Sequence, residues 1–278
     1  MNINQPLTDD EKLLIKRCEE LYSRADLGTL STTAVLSPRE RYIIENRLGY
    51  MFSGGDDSPI CFFWGGFKSA QRTLLCFAPS YYRYSLAENG EPSSVCRDEL
   101  AQAIVPLRIK TGGYVKLAHR DFLGSIIGLG VERSSVGDIL TDDSGAIVFV
   151  SASVSGLLKT ELVYVGRDKV HVNDILLPED FDQAPAFEPV HGTVASPRLD
   201  AVVSELANCS RETAKTVIRQ GFVEHNYFTA EEPDAVVAAG DIISVRKTGG
   251  TKGGKYTVDS LDERSAKGRL RLTARRYT

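Results

Sequence analysis

Three cationic side chains recur at helical spacing near the carboxyl end of the sequence. Arg211, Lys215 and Arg219 stand at positions i, i+4 and i+8, so that they share one edge of a helix. A row of like charges repels itself unless an anion lies across it. We interpret the row as a surface for a polyanion, and we take the phosphate backbone of RNA as that polyanion. The alternative is an ordinary solvated helix face.

The segment around these cations has the features of one short helix. Ser210 is a good N-cap, because its hydroxyl can accept a hydrogen bond from an unpaired amide of the first turn. Gly221 can end the helix, since glycine adopts the left-handed conformation at low cost. Ala214, Val217 and Ile218 form the apolar stripe that packs inward in such a helix.

Positive charge is concentrated towards the carboxyl end of the chain. The 278 residues carry a net charge of −4, whereas residues 246–278 contain 10 Lys and Arg against 3 Asp and Glu. A mildly acidic body with a basic end is typical of a nucleic-acid-binding module joined to other domains. The alternative is a basic tail that serves solubility. The candidate RNA-binding residues are Arg198, Ser210, Arg211, Lys215, Arg219, Asn226, Arg246, Lys247 and Lys255.

His119-Arg120-Asp121 invites two enzymatic interpretations. A protein kinase loop needs an Asn five residues after the Asp, where this sequence has Ile126. A pseudouridine synthase has its catalytic Asp after Arg-Leu, and Asp121 lacks that Leu. Arg198-Leu199-Asp200 has this order but opens a helix of the basic module, so we interpret its Asp as a structural partner. We therefore expect no catalytic residue and no enzymatic activity, with an RNA-modifying enzyme such as a pseudouridine synthase as the alternative.

Metal and cofactor motifs are missing from the sequence. The four histidines are isolated, and the five cysteines are scattered without a C-x-x-C pair. Gly128-Leu129-Gly130 lacks the third glycine of a dinucleotide-binding motif. We expect no metal, no small-molecule cofactor and a reducing cytoplasm. No stretch reaches the roughly 18 apolar residues of a membrane span, so no membrane partner is expected.

The patterns along the chain predict an α+β protein. Residues 1–75 contain two capped helical patterns and form a mainly helical N-terminal region. Residues 76–180 alternate strand and helix patterns and have the size of a ferredoxin-like or RNA-recognition-motif-like α/β middle domain. Residues 181–195 lie in an acidic, proline-rich stretch and are predicted to be a linker. Residues 196–278 form the basic C-terminal module.

The last strand of the module alternates between apolar and cationic side chains, so one of its faces can pack while the other carries charge. The apolar positions are Leu270, Leu272 and Ala274, and the cations are Arg269, Arg271 and Arg275.

Two stretches resemble known families. Residues 119–139 resemble the signature of the YlmH family, which places such a middle domain before a C-terminal S-four RNA-binding domain. Residues 198–246 resemble that S-four domain, a small αα-β module. The matching residues of the module are Arg198-Leu199-Asp200, Ser210-Arg211, Ala214, Ile218, Gly221, Val223, Asn226, Gly240-Asp241 and Val245, and those of the N-terminal part are Ser37-Pro38-Arg39-Glu40, Gly65-Gly66, Arg72 and Pro79.

The resemblance implies a function for the whole chain. Members of the YlmH family are cytosolic bacterial RNA-binding proteins. The resemblance therefore implies partners on the large ribosomal subunit, namely rRNA and peptidyl-tRNA, in the rescue of stalled translation by ribosome-associated quality control. A cell-division-associated scaffold is a further alternative. One loop departs from the family pattern, because Arg246 to Tyr256 is longer than the usual turn and has lysine in place of arginine.

Overall fold

The computed structural model describes residues 6–85, 100, 103–113, 116–262 and 268–277. The chain divides into two compact units, Met1–Ala184 and Pro185–Thr278. Both units combine helices with antiparallel sheets, so the expected mixed α+β class is confirmed. Within the described ranges, no helix is long and apolar enough to cross a membrane.

The first unit begins with two capped helices, α1 (Asp9–Asp26) and α2 (Pro38–Arg47). Thr8 and Ser37 each accept a hydrogen bond from the amide of the glutamate three residues later, and that glutamate accepts one from the cap's own amide. These reciprocal pairs satisfy amides that the first turn leaves without partners.

A three-stranded antiparallel sheet packs with these helices. It consists of β1 (Ser31–Thr32), β2 (Ile60–Trp64) and β3 (Leu74–Ala78), in the order β1-β3-β2. All five residues of the central strand β3 are buried. The predicted domain boundary after residue 75 is therefore corrected, because it would cut through the middle of this strand. The N-terminal region therefore combines two helices with a three-stranded sheet and belongs to the first unit, rather than forming a mainly helical domain.

A five-stranded antiparallel sheet forms the rest of the first unit, in the order β5-β6-β4-β8-β7. Its strands are β4 (Ile104–Thr111), β5 (Val136–Asp142), β6 (Gly145–Ser151), β7 (Tyr164–Val165) and β8 (Asp168–Asp174). The helices α3 (His119–Gly128) and α4 (Ala152–Glu161) contribute Phe122, Ile126 and Leu158 to its core. Short 3-10 helices cover Gly49–Phe52, Ser80–Ser85 and Arg133–Ser135.

The second unit is built on a six-stranded antiparallel sheet, in the order β11-β10-β12-β13-β14-β9. Its strands are β9 (Phe187–Val194), β10 (Val223–His225), β11 (Phe228–Thr229), β12 (Ile242–Val245), β13 (Gly254–Ser260) and β14 (Leu270–Tyr277). Along β14 the predicted alternation is confirmed, because Leu272 and Ala274 are buried while Arg271 and Arg275 are exposed.

The predicted linker at residues 181–195 is corrected by β9. This strand pairs with β14 in continuous register from Phe187 opposite Tyr277 to Val194 opposite Leu270. Pro189 is tolerated because β9 is an edge strand, where a missing N–H need not break a ladder. The proline content of this stretch is therefore compatible with a strand.

Two helices, α5 (Leu199–Leu206) and α6 (Arg211–Arg219), pack on one face of this sheet. Tyr256 of β13 is buried beneath them and donates a hydrogen bond from its hydroxyl to the carbonyl of Leu206, at 3.0 Å. Their shared core includes Val202, Val203, Ala214, Val217, Ile218, Val223, Ile243, Val258 and Leu272.

Candidate nucleic-acid interface

The helix that carries the cationic row forms as predicted. The Ser210 hydroxyl caps α6 by accepting a hydrogen bond from the amide of Thr213, at 3.0 Å. Ala214, Val217 and Ile218 are buried against the sheet. Arg211 and Arg219 are exposed and Lys215 is half-buried, so the row lies along the accessible part of the helix. Ser210 holds the start of the helix, and its binding role stays a prediction.

A buried carboxylate fixes two of the predicted arginines. Asp200 of α5 is 0% exposed and accepts hydrogen bonds from Nε and Nη2 of Arg211, at 3.1 and 3.0 Å. It also accepts one from Nε of Arg198, at 3.3 Å. Asp200 is thus the structural partner that we expected, and it joins cations from both helices of the module.

The electrostatics of this group leave one net positive charge. Burial raises the pKa of Asp200, but the hydrogen bonds from Arg211 and Arg198 outweigh burial, so its pKa lies below the ordinary value. The hydrogen bond to Asp200 raises the pKa of Arg211. The side chains of Arg198 and Arg211 remain 42% and 45% exposed. Two fixed guanidiniums around one carboxylate can therefore still meet an external anion.

The other two cations of the helix differ in their partners. Lys215 forms an ion pair with Glu212 at 3.2 Å, in which the Glu212 side chain is 77% exposed. An exposed pair of this kind is weak and can exchange with another anion. Arg219 is exposed and has no ion-pair or hydrogen-bond partner for its side chain among the residues described.

The basic loop after β12 runs back along α6. The amide of Arg246 donates to the carbonyl of Phe222, just after the helix, at 2.9 Å. A Cβ added at Gly250 would lie 3.3 Å from the methyl group of Thr213, at the helix start. The loop therefore lies beside α6, with contacts at the start of the helix and just beyond its end.

The loop and the cationic row lie on different flanks of α6. Thr213, which faces the loop, is about 160° around the helix axis from both Arg211 and Lys215 at 100° per residue. Arg246 and Lys247 are exposed, and within the described chain their side chains have no ion-pair partner. The exposed face of α6 is thus bordered by cations on two sides. A polyanion that crosses the helix would contact both borders.

Lys255 does not extend this surface, contrary to our prediction. Its strand neighbour Tyr256 faces the helices, and successive side chains of a strand point to opposite faces. The Lys255 ammonium lies over the rings of Tyr227 and Tyr277, at 5.0 and 4.7 Å from their centroids. Burial lowers the pKa of Lys255, although the negative charge of Glu224 opposes that shift.

Asn226 is engaged within the protein. Its Nδ2 donates to Asp241 at 2.8 Å, its Oδ1 accepts from the amide of Ile242 at 2.8 Å, and it is only 8% exposed. Its φ of 52° belongs to the left-handed region, which asparagine tolerates well. The structure therefore assigns Asn226 to a turn, and its polar groups are not available to RNA in this conformation.

Asp241, which we named only as a residue of the family resemblance, holds this turn in place. It is 1% exposed and also accepts a hydrogen bond from the amide of Ala238 and contacts Nε2 of His225, both at 2.8 Å or less. Burial raises the pKa of Asp241, but its hydrogen bonds with His225 and Asn226 outweigh burial and lower it. Its position in the Gly-Asp turn before β12 is the sequence feature that could have indicated this role.

In the first unit, Asp121 has a structural role at the start of α3. Its carboxylate accepts a hydrogen bond from the amide of Ala118 at 2.8 Å, at the start of α3. Arg120 lies 3.9 Å from the same carboxylate and is 90% exposed. This arrangement caps the helix.

Comparison with known proteins concerns both units. Residues 106–179 match the family model described as "Putative RNA-binding domain in YlmH". The chain is 26% identical over 248 residues to "Ribosome-associated protein quality control protein P2" of Bacillus subtilis (strain 168), covering 89% of this chain and 87% of that protein. A solved structure, "Cell division protein ylmH from Streptococcus pneumoniae", aligns with 65% of this chain and 100% of its own, at 19% identity and a TM-score of 0.48.

The family match falls on the five-stranded sheet of the first unit, where we had placed no binding residue. Those 74 residues contain 8 Lys and Arg against 9 Asp and Glu, so their net charge gave no signal. The exposed cations of this domain are Lys110, Lys116, Arg120, Lys159, Arg167 and Lys169.

Proposed function

We propose that this protein binds RNA, without catalysing a reaction, as a ribosome-associated factor in the rescue of stalled translation. The observation that carries the proposal is the exposed face of α6, which has cations on two flanks. On one flank the buried Asp200 fixes the guanidiniums of Arg198 and Arg211, and on the other lie Arg246 and Lys247. The quality-control name of the Bacillus subtilis relative supports the same role.

The proposal includes a specific assignment of domains. The strand order β5-β6-β4-β8, with one helix after β4 and one after β6, supports a ferredoxin-like or RNA-recognition-motif-like middle domain. The helices α5 and α6 followed by β10 support an S-four-like αα-β module at the C-terminus. Both units would then contact RNA, the first through the region that matches the family model.

We infer that the partners are rRNA and tRNA on the large ribosomal subunit, in the cytoplasm. Double-stranded RNA is read through its shape and its phosphates rather than through base edges. Fixed guanidiniums suit that task, because they present donors in a planar fork that matches phosphate geometry. The exposed face of α6 would therefore bind RNA through its phosphates, without contacts to base edges.

Crosslinking in cells, followed by sequencing of the bound RNA, tests this proposal. We expect recovery of large-subunit rRNA and tRNA, and loss of both with Arg211→Ala plus Arg219→Ala. Recovery of mRNA without preference, or equal binding to other acidic polymers, would overturn it. To test the absence of catalysis, RNA modification is measured with Asp121→Ala, which we expect to change neither RNA binding nor any modification.

A further inference from the structure

The sheet of the second unit has a second face, which points away from α5 and α6. Tyr256 and Val258 of β13, and Leu272 and Ala274 of β14, pack towards the helices. By the alternation of a strand, Lys255, Arg275 and Tyr277 lie on the opposite face. Arg275 is exposed, and Lys255 and Tyr277 are partly exposed. This outer face is therefore distinct from the cationic surface of α6.

Aromatic and cationic side chains form a row across this outer face. The Lys255 ammonium lies between the rings of Tyr227 and Tyr277, at 5.0 and 4.7 Å from their centroids. The ring of Tyr277 meets that of Phe187 edge to face, with centroids 4.8 Å apart. The guanidinium of Arg275 lies 4.9 Å from the centroid of Phe187 and is paired with the carboxylate of Asp259 at 3.0 Å. The row is thus continuous from the β10–β11 turn to the edge strand β9.

One member of the row is held in an unfavourable backbone conformation. Tyr227 has a φ of 69°, and this left-handed region is rare for a bulky side chain. The neighbouring Asn226 holds the turn in place through its hydrogen bonds to Asp241 and Ile242. Glycine would occupy this position without strain. A two-residue hairpin turn favours this conformation at both of its residues, and here it presents a ring to Lys255.

We propose that the row of Tyr227, Lys255, Tyr277, Phe187 and Arg275 stacks unpaired nucleotides of a bound RNA. Aromatic rings interleaved with cations on a sheet suit single-stranded RNA, because every base has a face that stacks and every phosphate a charge to neutralise. This inference rests on the proposed function and adds a second class of RNA feature to it. The α6 surface meets the phosphates of paired regions, and the outer sheet face meets bases that are unpaired.

The test is equilibrium binding of the full-length protein to two fluorescent RNAs, a single-stranded 12-nucleotide oligo(U) and a blunt RNA duplex. Tyr227→Gly removes the ring and relieves the backbone, so the variant is expected to fold at least as stably as the wild type. Tyr277→Leu removes the second ring and keeps an apolar side chain. The matched control is Tyr81→Leu, which changes a tyrosine that is 61% exposed in the first unit and lies outside residues 106–179.

We expect Tyr227→Gly and Tyr277→Leu each to weaken binding to the single strand about five- to tenfold, and to leave duplex binding unchanged. The Tyr81→Leu control should bind both RNAs as the wild type does. Unchanged single-strand affinity in Tyr227→Gly would overturn this inference, and so would an equal loss for both RNAs.

A separate variant keeps this result distinct from the proposed function. Arg219→Ala lies on the α6 surface and should weaken duplex binding. If Arg219→Ala weakens duplex binding while Tyr227→Gly and Tyr277→Leu leave single-strand binding unchanged, only the stacking inference is wrong. If the wild type binds neither RNA, the proposed function fails together with it.

Discussion

The second unit holds two groups of cations that differ in how the protein treats their charge. Arg198 and Arg211 are tied to the buried Asp200, whereas Arg219, Arg246 and Lys247 are exposed without an ion-pair partner in the described chain. The first group gives up part of its charge and gains a fixed position. The second group keeps its full charge, and no ion pair within the described chain fixes its side chains.

This difference indicates that the two groups contribute to RNA binding in different ways. A side chain that is already fixed loses little conformational entropy when it meets a phosphate, so the anchored arginines contribute geometry. Unpaired exposed cations contribute attraction that depends on salt concentration. We expect the two groups to respond differently to mutation, pH and salt.

The largest effect is expected for Asp200→Ala. Removing the buried carboxylate leaves Arg198 and Arg211 without their shared partner and empties a buried site. We expect a loss of about 3 kcal/mol in the free energy of unfolding, measured by urea denaturation. RNA binding should weaken more than tenfold, because Arg211 loses its fixed orientation. Asp234→Ala, the same change at an exposed acid of this unit, should leave both quantities unchanged.

The contribution of Asp200 should also depend on pH. Its pKa is lowered in the folded state, so its stabilisation is present above the ordinary pKa of about 4 and is lost as the pH falls through the lowered value. The difference in the free energy of unfolding between wild type and Asp200→Asn should be constant above pH about 5. Below pH about 4 this difference should shrink, by at most about 1.4 kcal/mol per pH unit. Denaturation between pH 7 and 3 measures it, and a gap that widens in acid would contradict the anchor.

Lysine substitution separates fixed geometry from charge. Arg211→Lys keeps the charge but loses the two-pronged contact with Asp200, so we expect about fivefold weaker RNA binding. Arg219→Lys should bind as the wild type does, since a point charge suffices there. Fluorescence anisotropy with a structured RNA measures both. Equal effects of the two substitutions would remove the distinction between the groups.

The smallest effect concerns Glu212, which pairs with Lys215 on the surface of α6. Glu212→Gln frees the ammonium and removes a negative charge from the centre of the proposed interface. We expect RNA affinity to rise two- to threefold, which is about 0.5 kcal/mol, and stability to change by less than about 0.5 kcal/mol. A decrease in affinity would indicate that RNA does not approach this face.

What could be predicted from the sequence was local. The cap at Ser210, the apolar stripe and the row of cations on α6 depend on residues within a few turns, and the structure has them as expected. The alternation along β14 follows from the period of a strand. Asp200 was recognised as structural because the order Arg-Leu-Asp opens a helix.

What could not be predicted depends on contacts between distant residues. The pairing of β9 with β14 joins residues about 80 positions apart, and its prolines resembled a linker. Lys255 lies outside the predicted surface, because the alternation of strand β13 places it on the opposite face of the sheet. There it contacts Tyr227 and Tyr277, which come from a turn and from another strand. The boundary after residue 75 was wrong for the same reason, since β3 is completed by strands on both of its sides.

The salt dependence of RNA binding tests the central claim most directly. The full-length protein is titrated with tRNA at 50 to 300 mM salt, alone and as the triple variant Arg219→Ala, Arg246→Ala, Lys247→Ala. Each phosphate contact contributes about 0.7 to 0.9 to the slope of log affinity against log salt, so we predict that the triple variant lowers this slope by about 2 to 3. An identical slope for the two proteins would contradict the account.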